Sequence, residues 1–353
     1  MRNEEAELTR RQLLRAGAAA GLGALWWRAA SGGGKTMTTG SNTESQGVIL
    51  GSGRHRYQCI HDWLVPPAHV AFGDTHGLAQ DSQGRIYVGH TVHPSSKRAD
   101  SIVVFDESGN YLSSWGSRFK GGSHGLDIRK EGSEEFLYHC DIANRKVVKT
   151  KLDGTVVLEL GAPEESGKYK NGEPFIPTNV AFSPFGDFYV GDGYGSNWVH
   201  QYDIKGNYVR TFGGAGTEPG KLRQPHGLWL DDRGREPLLA VADRANNRIQ
   251  YFSLDGEHVK FSTEGMRMPC HFDVRDGMLL VPDLSSVVTL LDENNNVIEM
   301  LGDGHPSGLR DRPRSDFIPG KFIHPHDAIF LRNGDILVAE WVPIGRVTLL
   351  KKI

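Results

Sequence analysis

One unit recurs six times along this chain, and the recurrence restricts the fold more than any other property. From residue 70 each copy opens with His-Gly-Leu or a variant, passes through a short β-rich run and turns at a glycine. A second β run ending in an acidic residue follows, then two more strands. The openings are His76, His124, Thr178, His226, His271 and His326, spaced 48, 54, 48, 45 and 55 residues apart. Between them lie turns such as Ser82-Gln83-Gly84, Ser108-Gly109-Asn110, Lys205-Gly206-Asn207 and Asn333-Gly334, where Gly and Asn tolerate the positive φ of tight hairpins. Four strands in 45–55 residues make a propeller blade, and no stretch carries the 3.6-residue apolar period that a helical repeat of this length needs. The chain therefore reads as all-β, a six-bladed β-propeller over residues 55–353. The last copy supplies only three strands, in Asp327–Leu331, Asp335–Trp341 and Arg346–Lys351. Arg56–Trp63 is expected to add the fourth and close the ring, which removes exposed sheet edges.

Composition agrees. Glycine is 44 of 353 residues, well above the average of about 7%, as a turn-rich fold requires. With 40 basic and 43 acidic residues there is no positive field to hold nucleic acid or an anionic membrane. Cys59, Cys140 and Cys270 are too few and too scattered for a disulfide scaffold or a Cys-rich zinc module. Ahead of the repeats, Thr9-Arg10-Arg11-Gln12-Leu13-Leu14 precedes an apolar run from Ala16 to Trp27, which is too short to span a bilayer. Residues 1–30 read as an export signal resembling the twin-arginine type, and 31–54 as a flexible Gly/Ser/Thr linker. The expectation is a periplasmic or secreted monomer with no membrane span in its mature form.

The blade-opening residues should line the central channel. Taken singly, each histidine suits a hydrogen-bonded structural role; the pattern suggests more. His124, His226 and His326 open alternate blades, which stand about 120° apart in a six-fold ring. Three imidazoles converging so match a His₃ metal site with an open position, for a divalent transition metal. Zinc leads, although iron, manganese and copper accept such a set. His76 and His271 are left for substrate contacts, hydrogen-bonding partners or channel filling. His90 and His93 fall where other blades carry an acid, at the channel mouth, as a solvated pair or a second metal site. The acidic row Asp141, Asp192, Asp243, Asp283 and Glu340 suits turn and inter-blade hydrogen bonds.

Asp141-Ile-Ala-Asn-Arg145, Asp192-Gly-Tyr-Gly-Ser-Asn197 and Asp243-Arg-Ala-Asn-Asn-Arg-Ile-Gln250 resemble the NHL repeat. Together with Phe175-Ile-Pro-Thr-Asn-Val-Ala-Phe, Gln224-Pro-His-Gly-Leu228 and Pro325-His-Asp-Ala328, they resemble peptidyl-α-hydroxyglycine α-amidating lyases, densely over 175–250 and weakly before 120. The resemblance implies zinc on His124, His226 and His326, a catalytic tyrosine at Tyr194 and an active-site arginine at Arg244. It also implies a structural calcium served by Asp327, with the Leu126 carbonyl near the metal.

Departures matter too. Phe72-Gly73-Asp74-Thr75-His76 lacks the family's first-blade arginine, His324 stands where the family has methionine, and Gly195 replaces a disulfide cysteine. The implied activity is a metal-dependent carbon–nitrogen lyase acting on a small molecule, an N-substituted α-hydroxyglycine or a related α-hydroxy acid. Tyr194 would be the base, and Arg244 would grip a carboxylate in a charge-assisted pair. A metal-dependent hydrolase on the same scaffold, or a non-catalytic propeller binding protein or glycan, are the rival readings.

Overall fold

A computed structural model describes residues 47–353 of the chain; the expected export signal and most of the expected linker lie outside the described residues. Six antiparallel sheets follow one another, each ordered from an inner to an outer strand. Blade one is built from Thr75–Gln80, Ile86–His90, Ile102–Phe105 and Tyr111–Trp115. Blades two to five begin on the inner strands Ser123–Glu131, Asn179–Phe182, Pro225–Asp231 and Asp273–Arg275.

Blade six takes its inner three strands from the end of the chain and the next from its beginning. Tyr57–Ile60 pairs with Arg346–Lys352, Tyr57 opposite Lys352 and Ile60 opposite Leu349. The ladder reaches further than the sequence suggests. Ile49–Leu50 adds a fifth, two-residue strand against Gln58 and Tyr57, so ordered structure begins inside the stretch expected as linker.

The period-2 alternation of each strand divides its side chains between two neighbours. In blade one, Ile86 and Val88 face blade six, where Leu337 and Ala339 meet them. Tyr87 between them faces blade two and packs with Leu137 and Val148. The same division repeats around the ring, so the buried apolar side chains form six clusters, each shared by two adjacent blades. The core is thus between the blades, and the channel is left to the polar blade-opening residues.

The second-strand acids hold their own blade's entry loop and following turn; Asp141 accepts the Ala143 and Asn144 N–H groups of the turn after it. Asp192 accepts the Ile176 and Ser196 N–H groups, Asp283 those of Arg267 and Met268, and Glu340 that of Ile323. The three cysteines are buried and free. No helix among the described residues is long and apolar enough to cross a membrane.

Candidate metal and anion site

The His-Gly motif has a geometric cause. Each inner strand approaches the opening of the next blade so closely that a Cβ on Gly125 would lie 2.4 Å from the Thr178 carbonyl oxygen, and one on Gly227 2.3 Å from that of Cys270. The same carbonyls are the acceptors for the histidines beside those glycines. His124 Nδ1 lies 2.8 Å from Thr178 O and His226 Nδ1 2.8 Å from Cys270 O; His326 Nδ1 completes the pattern at 3.0 Å from His76 O. A carbonyl only accepts, so each Nδ1 carries the proton and each Nε2 keeps its lone pair.

Those lone pairs face one another. The rings of His124, His226 and His326 stand with mutual centroid distances of 4.7–4.8 Å, each pair close to perpendicular. His124 Nε2 and His226 Nε2 are 3.2 Å apart, with neither tautomer offering a proton between them. All three rings are buried and held neutral: burial pushes His124 down to about 3 and lowers His226 and His326 well below the usual imidazole range. Neutral imidazoles with oriented lone pairs and backbone-anchored Nδ1–H groups are the state in which histidine ligates metal. The donor set fits a borderline-soft divalent ion.

His76 joins this cluster, as blade-opening order alone did not indicate. Its ring centre is 4.5 Å from that of His326 and 4.8 Å from that of His124. By ligand-atom distance the trio that emerges among the described residues is His76, His124 and His326, within 4.8 Å of one another, rather than the expected set with His226. The anchoring favours His226 over His76. His76 Nδ1 has no carbonyl to fix it and instead lies 3.3 Å from His326 Nε2, within reach to donate.

Tyr194 lies against the cluster, and Arg244 against Tyr194. The Tyr194 hydroxyl is 3.2 Å from His124 Nε2 and 3.1 Å from His226 Nε2. Flanking glycines allow this approach, because a Cβ at Gly193 would be 2.2 Å from the Pro225 carbonyl oxygen and one at Gly195 1.9 Å from the Asp192 carboxylate. The glycine that replaces the family's cysteine is therefore obligatory in this loop.

Arg244 donates Nη2–H to the Tyr194 hydroxyl at 3.1 Å and stacks over its ring. The guanidinium is 5% exposed, its Nε has no hydrogen-bond partner, and no carboxylate pairs with it among the described residues. A buried cation without its anion is costly; besides Tyr194 this one reaches only Cys270 Sγ at 3.8 Å and Gln224 Oε1 at 3.5 Å.

The loop after blade five brings Arg310 to blades six and one. Arg310 pairs with Asp74 at 2.7 Å and with Asp311 at 2.9 Å, and lies 3.8 Å over the Trp341 ring. A guanidinium thus reaches the first blade from a distant loop, where the local sequence has none. Only the length of that loop, residues 303–324, hints at it.

The remaining candidates are structural. His90 is fully buried, its Nδ1 accepts the Gly73 and Val92 N–H groups, and burial lowers it to about 3. His93 bonds only to Ser95, so the two form no second metal site. His324 donates to the Leu284 carbonyl.

Asp327 does not present free oxygens. Its Oδ2 accepts the Leu78 N–H at 2.7 Å and its Oδ1 lies 2.5 Å from His271 Nδ1. The central cavity that His76, His124, His226, His271 and Asp327 share with their neighbours is about 10 Å³, room for one ion- or water-sized occupant.

Known proteins agree with this architecture. Peptidyl-α-hydroxyglycine α-amidating lyase 1 of Drosophila melanogaster is 32% identical over 321 residues, which cover 79% of this chain and 57% of that protein. The human NHL repeat-containing protein 3 is 30% identical over 210 residues, covering 56% and 57%. The chain is a six-bladed propeller with amidating lyases and NHL repeat-containing proteins among its homologues. A third relative, peptidyl-glycine α-amidating monooxygenase B of Xenopus laevis, is 29% identical over 228 residues, 56% of this chain and 25% of that one. The chain thus spans a quarter to little more than half of these relatives' lengths. No protein-family model matches. Among solved structures, streptogramin B lyase superposes with a TM-score of 0.55 at 13% identity, over 83% of this chain and 97% of that one; this likeness concerns the fold.

Proposed function

We propose that the propeller is a metal-dependent lyase that cleaves a small N-substituted α-hydroxy acid above the imidazole cluster. The observation that carries this reading is a cluster of three buried neutral imidazoles beside a buried guanidinium that no carboxylate pairs with among the described residues. A divalent ion held by His124, His226 and His326 would supply Lewis acidity toward a substrate hydroxyl.

The chain's own groups account for the rest. Arg244 would take the substrate carboxylate, whose arrival neutralises the buried cation and orients the α-carbon. Tyr194, held beside Arg244, would receive the hydroxyl proton as general base. The α-carbon then forms its C=O bond as its bond to nitrogen breaks, and the proton on Tyr194 passes to the departing amide nitrogen. An N-acyl-α-hydroxyglycine would give glyoxylate and the amide, with all atoms and electrons accounted for.

Arg310, paired with Asp74 and Asp311, takes no part in this chemistry. A purely interaction-type propeller has no need of converging imidazoles and a guanidinium without a carboxylate inside its channel. The test is glyoxylate release from α-hydroxyhippurate by protein loaded with zinc. Release that disappears in Tyr194→Phe supports the reading; no release with any loaded metal refutes this substrate class.

A further inference from the structure

Beside the imidazole cluster the channel carries a second polar group that the proposed reaction does not use. His271, opening blade five, lies between two carboxylates from other blades: its Nδ1 is 2.5 Å from Asp327 Oδ1 and its Nε2 3.5 Å from Asp127 Oδ1. All three side chains are buried. The second distance is an ion-pair contact rather than a full hydrogen bond, and Nε2 has no other partner. Carboxylate oxygens only accept, so two of them facing the two nitrogens of one ring call for a proton on each nitrogen, which makes the ring an imidazolium.

The outer oxygens of the carboxylates extend the network. Asp327 Oδ2 accepts the Leu78 N–H of blade one at 2.7 Å. Asp127 Oδ2 accepts from Asn179 of blade three at 2.7 Å, and Asn179 Oδ1 accepts the Leu228 N–H of blade four at 2.9 Å. Asp127 belongs to blade two and Asp327 to blade six, so one chain of polar contacts touches every blade, with His271 at its centre.

The structural calcium implied for Asp327 does not fit this arrangement. Calcium takes 6–8 oxygen ligands at 2.3–2.6 Å, whereas here a nitrogen ring occupies the gap and both Asp327 oxygens are engaged. We propose that the His271 imidazolium is a built-in cation: it fills the position between Asp127 and Asp327 that a hard metal ion would otherwise hold, and it ties the six blades together without calcium. Burying two carboxylates in one channel needs a compensating charge, and a side chain supplies it permanently where an ion would depend on its concentration.

The proposal is independent of the lyase reading and is tested without activity. Wild-type protein prepared in calcium-free buffer should contain substoichiometric calcium by elemental analysis, and millimolar CaCl₂ should leave its Tm unchanged. His271→Ala leaves the carboxylates facing each other across a void. Its Tm should fall by more than about 5 °C, and CaCl₂, but not KCl at matched ionic strength, should restore most of the loss. Adding Asp127→Asn to His271→Ala should abolish that rescue.

If His271→Ala is too unstable to purify, His271→Gln keeps most of the volume without the charge and should show the same calcium response. Three outcomes overturn the proposal: stoichiometric calcium in the wild type, an unchanged Tm in both variants, or a fall in Tm that calcium does not repair. An unchanged Tm in His271→Gln alone would equally overturn the part played by charge, because a neutral amide would then suffice between the carboxylates.

Discussion

Replacing Gly227 by alanine adds one methyl group far from any solvent, and its consequences follow from two distances. The new Cβ would lie 2.3 Å from the Cys270 carbonyl oxygen, and real Cβ atoms essentially never approach closer than 3.0 Å. The carbonyl must therefore retreat by at least the 0.7 Å difference. That carbonyl accepts His226 Nδ1–H at 2.8 Å, so the same displacement along the bond stretches it to about 3.5 Å, where a hydrogen bond is effectively lost. Overpacking costs about 1–3 kcal/mol and the lost hydrogen bond about 1 kcal/mol. A total near 2–4 kcal/mol should lower Tm by roughly 4–10 °C. The metal site should suffer as well, because the carbonyl fixes which nitrogen of His226 bears the lone pair; losing such an orienting partner typically weakens metal affinity by about 10–100-fold. The assay is thermal unfolding of the metal-free protein together with competitive titration of Co²⁺. Gly234→Ala is the control, since its Cβ meets nothing closer than 3.8 Å and its φ is not positive. Equal Tm and equal cobalt affinity for Gly227→Ala and wild type would refute the link between motif and site.

Four further outcomes are expected. Tyr194→Phe should bind metal normally yet lose turnover by about 10²–10⁴-fold, measured as kcat on any substrate found; an unchanged kcat rejects the base. Arg244→Ala should raise KM for carboxylate substrates by at least about tenfold, and a KM change equal for esters and acids would count against carboxylate binding. A chain beginning at residue 65 should melt well below one beginning at residue 47, because it lacks the Tyr57–Ile60 strand and its buried Tyr57; equal melting temperatures would contradict the closure. Metal-free protein should be acid-labile. His90, His124, His139 and His200 are pushed by burial from 6.5 to about 3, so the unfolded chain binds protons there that the folded one does not. Their stabilisation is complete above pH 6.5 and is lost as pH falls toward 3. Asp192 and Asp273, raised to about 6 and about 7, offset part of the effect. The net uptake from these groups, rising from about one proton at pH 6.5 to about two at pH 5, gives a slope of roughly 1.4–2.8 kcal/mol per pH unit, and denaturant midpoints that stay flat from pH 6.5 to 5 would contradict it.

The fold was legible because its cause is local and repeated: hairpin glycines and alternating strands recur six times, and closure follows from a last copy one strand short. That His124, His226 and His326 lie close together was legible for the same reason, through ring geometry; that His76 rather than His226 completes the trio by ligand-atom distance was not. What lay beyond the sequence depends on long-range placement. Arg310 reaches Asp74 from 236 residues away, and nothing in its own loop marks it. The entry of His76 into the cluster and the turning of His271 toward Asp127 and Asp327 depend on side-chain direction, which the identical blade-opening position does not encode. His90 looked like a rim residue because its alignment with the acidic row is correct, but its Nδ1 does the capping work of those acids, and it is buried accordingly. The extra strand at Ile49–Leu50 carries no pattern of its own; it forms because Tyr57–Ile60 offers an open edge.

The central claim is that one divalent transition metal sits on the propeller axis, held by the Nε2 atoms of His124, His226 and His326. Elemental analysis of the dialysed protein, wild type beside His226→Ala, tests it most directly. The expected result is close to one transition-metal ion per wild-type chain and none in His226→Ala, with the β-sheet circular dichroism of the two proteins superimposable. A wild type that holds no metal and takes up none on incubation with Zn²⁺ or Co²⁺, or a His226→Ala variant that keeps its full complement, would contradict it.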